Sequence, residues 1–120
     1  MLVEDDSEIR ETLTYLLESE KFTVIPAADG AIALSLLCDP SHPLPSLVIL
    51  DYHMPVLNGP GFIEALLCKR DRDLTSIPII LLSAANEPAL GNLKSRLSAI
   101  LPKPIDIDVL LAQIDQSIRR

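Results

Sequence analysis

The stretch Leu47-Val48-Ile49-Leu50-Asp51, residues 47–51, decides the fold of this chain. An apolar run with no polar face is typical of a central strand in a parallel sheet that is covered on both sides. The run ends abruptly at Asp51. Because open α/β sheets build their ligand sites at the carboxyl ends of the strands, this aspartate is placed where such a site is expected. The stretch therefore predicts a buried strand with a functional carboxylate at its end.

Three further apolar runs are also followed by polar residues. They are 1–3 followed by Asp5 and Asp6, 78–82 followed by Ser83, and 99–101 followed by Lys103. If all four runs are parallel strands, these side chains converge with Asp51 at one edge of the sheet. Clustered carboxylates suit a hard divalent cation, and an aspartate beside such a cation can act as a nucleophile toward phosphorus. The pattern predicts a phosphoacceptor site.

Helix-like stretches separate the apolar runs along the whole chain. Apolar stripes at helical spacing mark several of them, and a proline-rich segment at 39–46 predicts a loop. The predicted strands are 1–3, 22–27, 47–50, 78–82 and a fifth ending at 101; the predicted helices are 7–20, 31–38, 59–70, 86–97 and 106–120. This alternation predicts an α/β fold, a doubly wound five-stranded parallel sheet of flavodoxin-like type in the order 2-1-3-4-5.

Length and composition set limits on domain number and partners. A chain of 120 residues with 48% hydrophobic residues predicts a single domain over 1–120, in which the first strand either is minimal or begins before the first residue. A net charge of −7 argues against a nucleic-acid surface. No apolar run reaches about 18 residues and no signal peptide opens the chain, so we expect a cytoplasmic protein without a membrane partner. Cys38 and Cys68 lack metal-ligand spacing and are interpreted as buried thiols.

Four short motifs resemble those of one family, the CheY-like receiver domain of response regulators in two-component signalling. The motifs are Val3-Glu4-Asp5-Asp6, Asp51 with Met54-Pro55 and Gly59, Ser83-Ala84, and Lys103-Pro104. Each motif alone is weak, but all four occur in the family's order and span essentially the whole chain. The resemblance implies the receiver fold and a signalling phosphoacceptor rather than a turnover enzyme.

The resemblance implies a role for each acidic position. Asp51 is expected to accept a phosphoryl group from a phosphohistidine donor, which is a sensor histidine kinase or a histidine phosphotransfer protein. Asp6 is expected to ligate Mg²⁺ directly and Asp5 to help hold the ion through water. The backbone carbonyl of His53 is expected to complete the protein ligands, with water and phosphoryl oxygens filling the octahedron.

The remaining motifs are expected to bind the phosphoryl group. Lys103 is expected to contact a phosphoryl oxygen, and Ser83, with Ala84 beside it, to form a hydrogen bond that exists only after phosphorylation. In receivers this bond reshapes the face made by the fourth helix, the fifth strand and the fifth helix. The bond between Lys103 and Pro104 is expected to be cis, as in the family.

The sequence departs from the family pattern at Ile100, where receivers commonly carry Tyr or Phe. An isoleucine has no ring to turn inward, which argues against ring-based signalling at this switch position but leaves the Ser83 movement available. His53 and Ala85 occupy the positions that tune dephosphorylation in receivers. His53 either orders the attacking water, blocks it, or is a solvated loop histidine, and these alternatives stay open.

Three functions compete for this pattern. The first is the phosphorylation-controlled receiver, and the second is a pseudo-receiver that binds partners without phosphorylation, which Ile100 and the short first strand suggest. The third is a haloacid-dehalogenase-type phosphotransferase, but those enzymes place an acid two residues after the nucleophile, where this chain has His53. Homodimer formation through the fourth and fifth helices is left open.

Overall fold

The computed structural model describes residues 1–54, 56–67, 74, 76–84 and 91–118. Strands and helices alternate along the chain, as the apolar pattern predicts. The strands are β1 (Leu2–Val3), β2 (Pro26–Ala27), β3 (Val48–Asp51), β4 (Ile79–Ser83) and β5 (Ala99–Pro102). The helices are α1 (Ser7–Ser19), α2 (Gly30–Cys38), α3 (Gly59–Leu67) and α4 (Ile107–Ile118), with a 3₁₀ helix at Gly91–Arg96.

The five strands form one parallel sheet in the order β2-β1-β3-β4-β5, which confirms the predicted topology. Val3 of β1 pairs with Leu50 of β3, so the residues that follow β1 lie beside Asp51. Asp51 pairs in turn with Leu82 of β4, the residue before Ser83. This register brings the ends of β1, β3 and β4 to one edge.

Side chains of the sheet alternate between two hydrophobic cores, one on each face. Leu50 and Leu81 pack on the face that carries Phe62 of α3. Ile49 and Leu82 pack on the opposite face with Leu13 and Leu17 of α1 and with Leu110 and Ile114 of α4. Burial on both faces explains why β3 and β4 read as continuous apolar runs rather than alternating ones. The two cores hold the central strands fixed beneath the polar edge.

The structure differs from the predicted elements at β2, which is limited to Pro26–Ala27 instead of 22–27, and after β4. A helix is predicted over 86–97, but the described part, Gly91–Arg96, is a 3₁₀ helix. Gly91 has a φ of 60°, which is incompatible with a continuous right-handed helix through this position. The remainder of that prediction, 86–90, lies outside the described residues, as do Cys68 and the end of the third predicted helix. No helix among the described residues is long and apolar enough to cross a membrane.

Candidate functional site

Three carboxylates meet at the carboxyl edge of the sheet. Glu4 and Asp5 follow β1, and Asp51 ends β3, the neighbouring strand. One oxygen from each of the three lies within 4.8 Å of the others. We call these residues the carboxylate cluster. Glu4 is only 2% exposed and Asp51 only 3%, whereas Asp5 is open to solvent.

The structure places Asp6 outside the carboxylate cluster. Its Oδ1 accepts hydrogen bonds from the backbone N–H groups of Glu8 at 2.9 Å and Ile9 at 3.2 Å. Asp6 is therefore the N-cap of α1, a common use of aspartate at the start of a helix. The geometry brings Asp5 and Asp51 together as predicted, but the third carboxylate is Glu4 instead of Asp6.

Glu4 is the site residue that the sequence reasoning missed, although it belongs to the quoted first motif. The backbone N–H of Glu4 donates to the carbonyl of Ala27 at 3.1 Å, so the chain keeps its strand direction through Glu4 before turning into α1. The signal that identifies Glu4 is the cap itself. Once Asp6 is assigned to the helix, the two acids before it are the ones left at the strand end.

The pKa of Glu4 is raised from 4.5 to about 7, and burial is the largest cause. The negative charge of Asp51 and hydrogen bonds with the side chains of Asp51 and Asp5 contribute to this increase, because they favour the protonated form. The backbone N–H of Asp6, at 3.2 Å from Glu4 Oε2, acts in the opposite direction. Two buried acids thus share a site in which Glu4 loses its proton only as the pH approaches neutrality.

Lys103 supplies the positive charge of the site. Its ammonium forms an ion pair with Oδ1 of Asp51. The lysine follows β5, where its backbone N–H donates to the carbonyl of Ser83 at 3.0 Å, and its peptide bond to Pro104 is cis. The motifs after β3 and β5, which are far apart in sequence, therefore meet as the strand pattern predicts.

The predicted switch residues occupy the neighbouring strands. Ser83 ends β4 and is half-buried, with its hydroxyl 3.2 Å from the carbonyl oxygen of Ala84. Ile100 lies on β5 at the edge of the sheet and is 38% exposed. Ala85 lies outside the described residues. Ile100 pairs with Leu81, two residues before Ser83, and presents a partly exposed apolar side chain.

His53 follows the phosphoacceptor candidate by two residues and is exposed. Its ring packs edge-on against that of Tyr52, with the ring centroids 5.0 Å apart and an angle of 67° between the planes. Tyr52 itself is buried. The His53 ring is not among the groups that meet in the carboxylate cluster, and the role expected of its backbone carbonyl does not depend on the ring.

A doubly wound parallel sheet with acids after β1, a buried aspartate at the end of β3 and a lysine after β5 defines a receiver-type signalling module rather than a turnover enzyme. The chain belongs to the response regulator receiver domain family, whose model matches residues 1–115. The carboxylate cluster is typical of the Mg²⁺ site of this family.

Curated relatives support the same assignment. The chain is 39% identical over 122 residues to the transcriptional regulatory protein CpxR homolog of Haemophilus influenzae, covering 100% of this chain and 50% of that protein. It is 36% identical over 124 residues to the transcriptional regulatory protein CseB of Streptomyces coelicolor, covering 100% of this chain and 49% of that protein. The chain thus spans about half the length of the curated relatives it matches.

Solved structures confirm the fold. A CheY-like response regulator receiver domain protein from Methanospirillum hungatei superposes with a TM-score of 0.86 at 27% identity, over 99% of this chain and 92% of that one. The receiver domain of a signal transduction histidine kinase from Syntrophus aciditrophicus gives a TM-score of 0.82 at 26% identity, over 98% and 87% of the two chains. The same fold therefore occurs in regulators and within kinases.

Proposed function

We propose that this receiver domain accepts a phosphoryl group on Asp51 from a phosphohistidine, carried by a sensor histidine kinase or a histidine phosphotransfer protein. The observation that supports this most is the convergence of Asp51 with two further acids and with Lys103 at one sheet edge. In the transfer, a carboxylate oxygen of Asp51 bonds to phosphorus, the P–N bond breaks, and the imidazole leaves with the electron pair and takes up a proton. The product is an acyl phosphate.

The residues present fit a Mg²⁺ ion. The donor set consists of oxygen atoms alone, which is what this hard cation prefers over nitrogen or sulfur. We assign Asp5 and Asp51 as carboxylate ligands, Glu4 as the acid that holds the ion through water, and the carbonyl of His53 as the remaining protein ligand. Asp6, committed to the helix cap, is replaced in this assignment by Asp5. When bound, the ion neutralises charge on the carboxylates and on the incoming phosphoryl group.

Lys103 has two partners in this proposal, one in each state. Without phosphate its ammonium neutralises Asp51, which is buried and needs a counter-charge. After transfer the same ammonium is close enough to contact a phosphoryl oxygen, because the new group is attached to its present partner. A lysine suits this exchange, since its flexible stem carries a compact charge that does not require a fixed bidentate geometry.

The output arises from Ser83 and β5. A phosphoryl group brings about −1.5 to −2 charges and three acceptor oxygens, which attract the Ser83 hydroxyl away from the carbonyl of Ala84. The Ser83 carbonyl accepts a hydrogen bond from the backbone N–H of Lys103. Movement at the end of β4 therefore displaces Lys103, the first residue after β5. Ile100 lies on the same strand and changes its exposure without any ring rotation.

Amide NMR tests the proposal with beryllofluoride, a mimic of the acyl phosphate, and Mg²⁺. We expect shifts at Asp51, Ser83 and Lys103 that extend to β5 in the wild type and are absent in Asp51→Asn. Asp5→Asn should weaken Mg²⁺ binding at least tenfold, while Asp6→Asn, which keeps the cap acceptor, should leave it unchanged. Equal weakening in both variants would contradict the ligand assignment.

A pseudo-receiver function is the second candidate, and the isoleucine at position 100 is the observation that favours it. In that case the domain binds its partner through a constitutive surface and needs no acyl phosphate. Wild-type protein would then show no Mg²⁺-dependent change with beryllofluoride. The carboxylate cluster and its lysine argue for the phosphoacceptor instead, because burying such charges without a use costs stability.

A further inference from the structure

The loop that joins β3 to α3 is closed directly behind the phosphoacceptor. The backbone N–H of Gly59 donates to the carbonyl of Tyr52 at 2.8 Å. A Cβ at Gly59 would lie 3.1 Å from Cα of Tyr52 and 3.2 Å from the carbonyl oxygen of Asp51. Helix α3 therefore begins against the backbone that carries the acceptor, and any side chain at its first residue would push on that backbone.

Leu57 is enclosed by the first turns of two helices. A Cβ added at Gly30, the first residue of α2, would lie 2.9 Å from the carbonyl oxygen of Leu57 and 3.2 Å from its Cβ. A Cβ added at Gly61, in the first turn of α3, would lie 2.9 Å from Cδ1 of Leu57. Both glycines thus leave room for the same leucine, one for its backbone and one for its side chain.

The residue before Leu57 carries strain that its own contacts do not explain. Val56 has a φ of 70°, the left-handed region that β-branched residues avoid. Its side chain is 83% exposed, so burial of Val56 does not compensate for this conformation. Strained residues persist where the surrounding structure fixes the chain on either side. Leu57, which packs between Gly30 and Gly61, directly follows Val56 and holds the chain on that side of it.

We infer that Leu57 is a positioning residue, which, held between Gly30 and Gly61, fixes the loop after Asp51 and so the His53 carbonyl and the Asp51 carboxylate at the metal site. The inference rests on the proposed function, because it concerns the geometry of the proposed Mg²⁺ site. Leu57 contacts no ion itself and acts through the loop. The hydrogen bond from Gly59 to Tyr52 closes the same loop at its other end.

The test compares Leu57→Ala, Gly61→Ala and the double variant in Mg²⁺ titrations of the intact domain followed by calorimetry. We expect each single change to weaken Mg²⁺ binding about fivefold or more. The double variant should bind no more weakly than Leu57→Ala, because Leu57 Cδ1, the atom that the new methyl group would approach most closely, has been removed. Gly30→Ala meets the backbone carbonyl instead, so Leu57→Ala should not rescue it.

Leu17→Ala is the matched control, because Leu17 is a buried leucine on the opposite face of the sheet. It should lower the thermal unfolding midpoint as Leu57→Ala does while leaving Mg²⁺ affinity unchanged. A second readout needs no metal. Exchange of the Gly59 amide hydrogen should be faster in Leu57→Ala than in Leu17→Ala when the two variants are compared at urea concentrations that give them equal global stability.

The outcomes distinguish failure of the proposed function from failure of the positioning role of Leu57. If the wild type fails to bind Mg²⁺, the proposed function fails, and the Gly59 exchange alone decides the role of Leu57. If the wild type binds and the Leu57 and Gly61 variants bind equally well, the proposed function stands and the positioning role is wrong. Additive losses in the double variant would also overturn it, since independent effects do not require a shared contact.

Discussion

The two ends of the parallel sheet have opposite chemistry. At the carboxyl edge, Glu4 and Asp51 are nearly fully buried acids with Lys103 beside them. At the amino edge, the same strands open onto a mostly apolar cavity of about 340 Å³ to which Leu2 and Ile49 contribute. One end therefore gains free energy from apolar burial, while the other carries charges whose burial costs free energy unless they are paired. The amino edge should therefore contribute stability that does not depend on Mg²⁺, and the carboxyl edge stability that does.

The apolar end should show the largest loss of stability on truncation. Leu17 is buried on the α1 face and lines the cavity at the amino edge. Leu17→Ala should lower the free energy of unfolding by about 2–5 kcal/mol, because apolar burial is lost and the void is only partly refilled. Urea denaturation measures this. The loss should be the same with and without Mg²⁺, and a loss that Mg²⁺ reverses would break the contrast between the two ends.

At the charged end, removal of the lysine should cost less and depend on the metal. Lys103→Met leaves Asp51 buried beside Glu4 without its counter-charge, so we expect a loss of about 2–3 kcal/mol in the metal-free protein. Lys103 is partly exposed, which places the effect below the range for a fully buried pair. Millimolar Mg²⁺ should restore part of this stability, and urea denaturation with and without Mg²⁺ measures the difference.

The double variant Asp51→Asn/Lys103→Met is the control for that prediction. It removes both charges of the pair, so its stability should exceed that of Lys103→Met alone. A double variant that is as unstable as the single one would show that Lys103 stabilises the fold through its packing rather than through its charge.

Stability of the metal-free domain should fall as the pH rises from about 4.5 to about 7. The pKa of Glu4 is raised from 4.5 to about 7, so the folded state binds more protons than the unfolded state within that window. The full effect is about 3 kcal/mol at most.

Glu4→Gln separates the contribution of Glu4 to the pH dependence from that of the other titrating groups. The variant keeps the shape of the side chain and cannot ionise, so its urea midpoint should change less than that of the wild type between pH 5 and 6. It should be more stable than the metal-free wild type at pH 7 and bind Mg²⁺ more weakly. Identical pH profiles for the two proteins would mean that Glu4 is not the group that titrates.

The sequence predicts the sheet better than it predicts the site. The run that forms β3 is apolar at every position before Asp51, and such a local pattern is sufficient to identify a central strand. The choice between Asp5-Asp6 and Glu4-Asp5 depends on how far β1 continues, which is decided by the hydrogen bond from Glu4 to Ala27 of another strand. That hydrogen bond is tertiary information, and the local sequence holds only the weaker signal that Asp6 directly precedes α1 and suits an N-cap.

The same distinction applies to the surroundings of the site. Leu57 and Gly30 are separated by 26 intervening residues, and nothing in their spacing indicates that they touch. Glycine at the start of a helix is common for many reasons, so only the distance to Leu57 shows which reason applies here. The meeting of Lys103 with Asp51 was predictable, because parallel strands share an edge. Contacts that follow from topology are accessible from sequence, and contacts that follow from packing are not.

The smallest effect is expected from Asp6, the acid that lies next to the carboxylate cluster without belonging to it. Asparagine caps a helix about as well as aspartate, so Asp6→Asn should preserve the bonds to Glu8 and Ile9 and change the free energy of unfolding by only a few tenths of a kcal/mol. Asp6→Ala removes the acceptor and should cost about 1 kcal/mol in urea denaturation. If Asp6→Asn instead raised the metal-free stability by more than about 1 kcal/mol, repulsion among the acids would extend to Asp6, and the division between cap and metal site would be wrong.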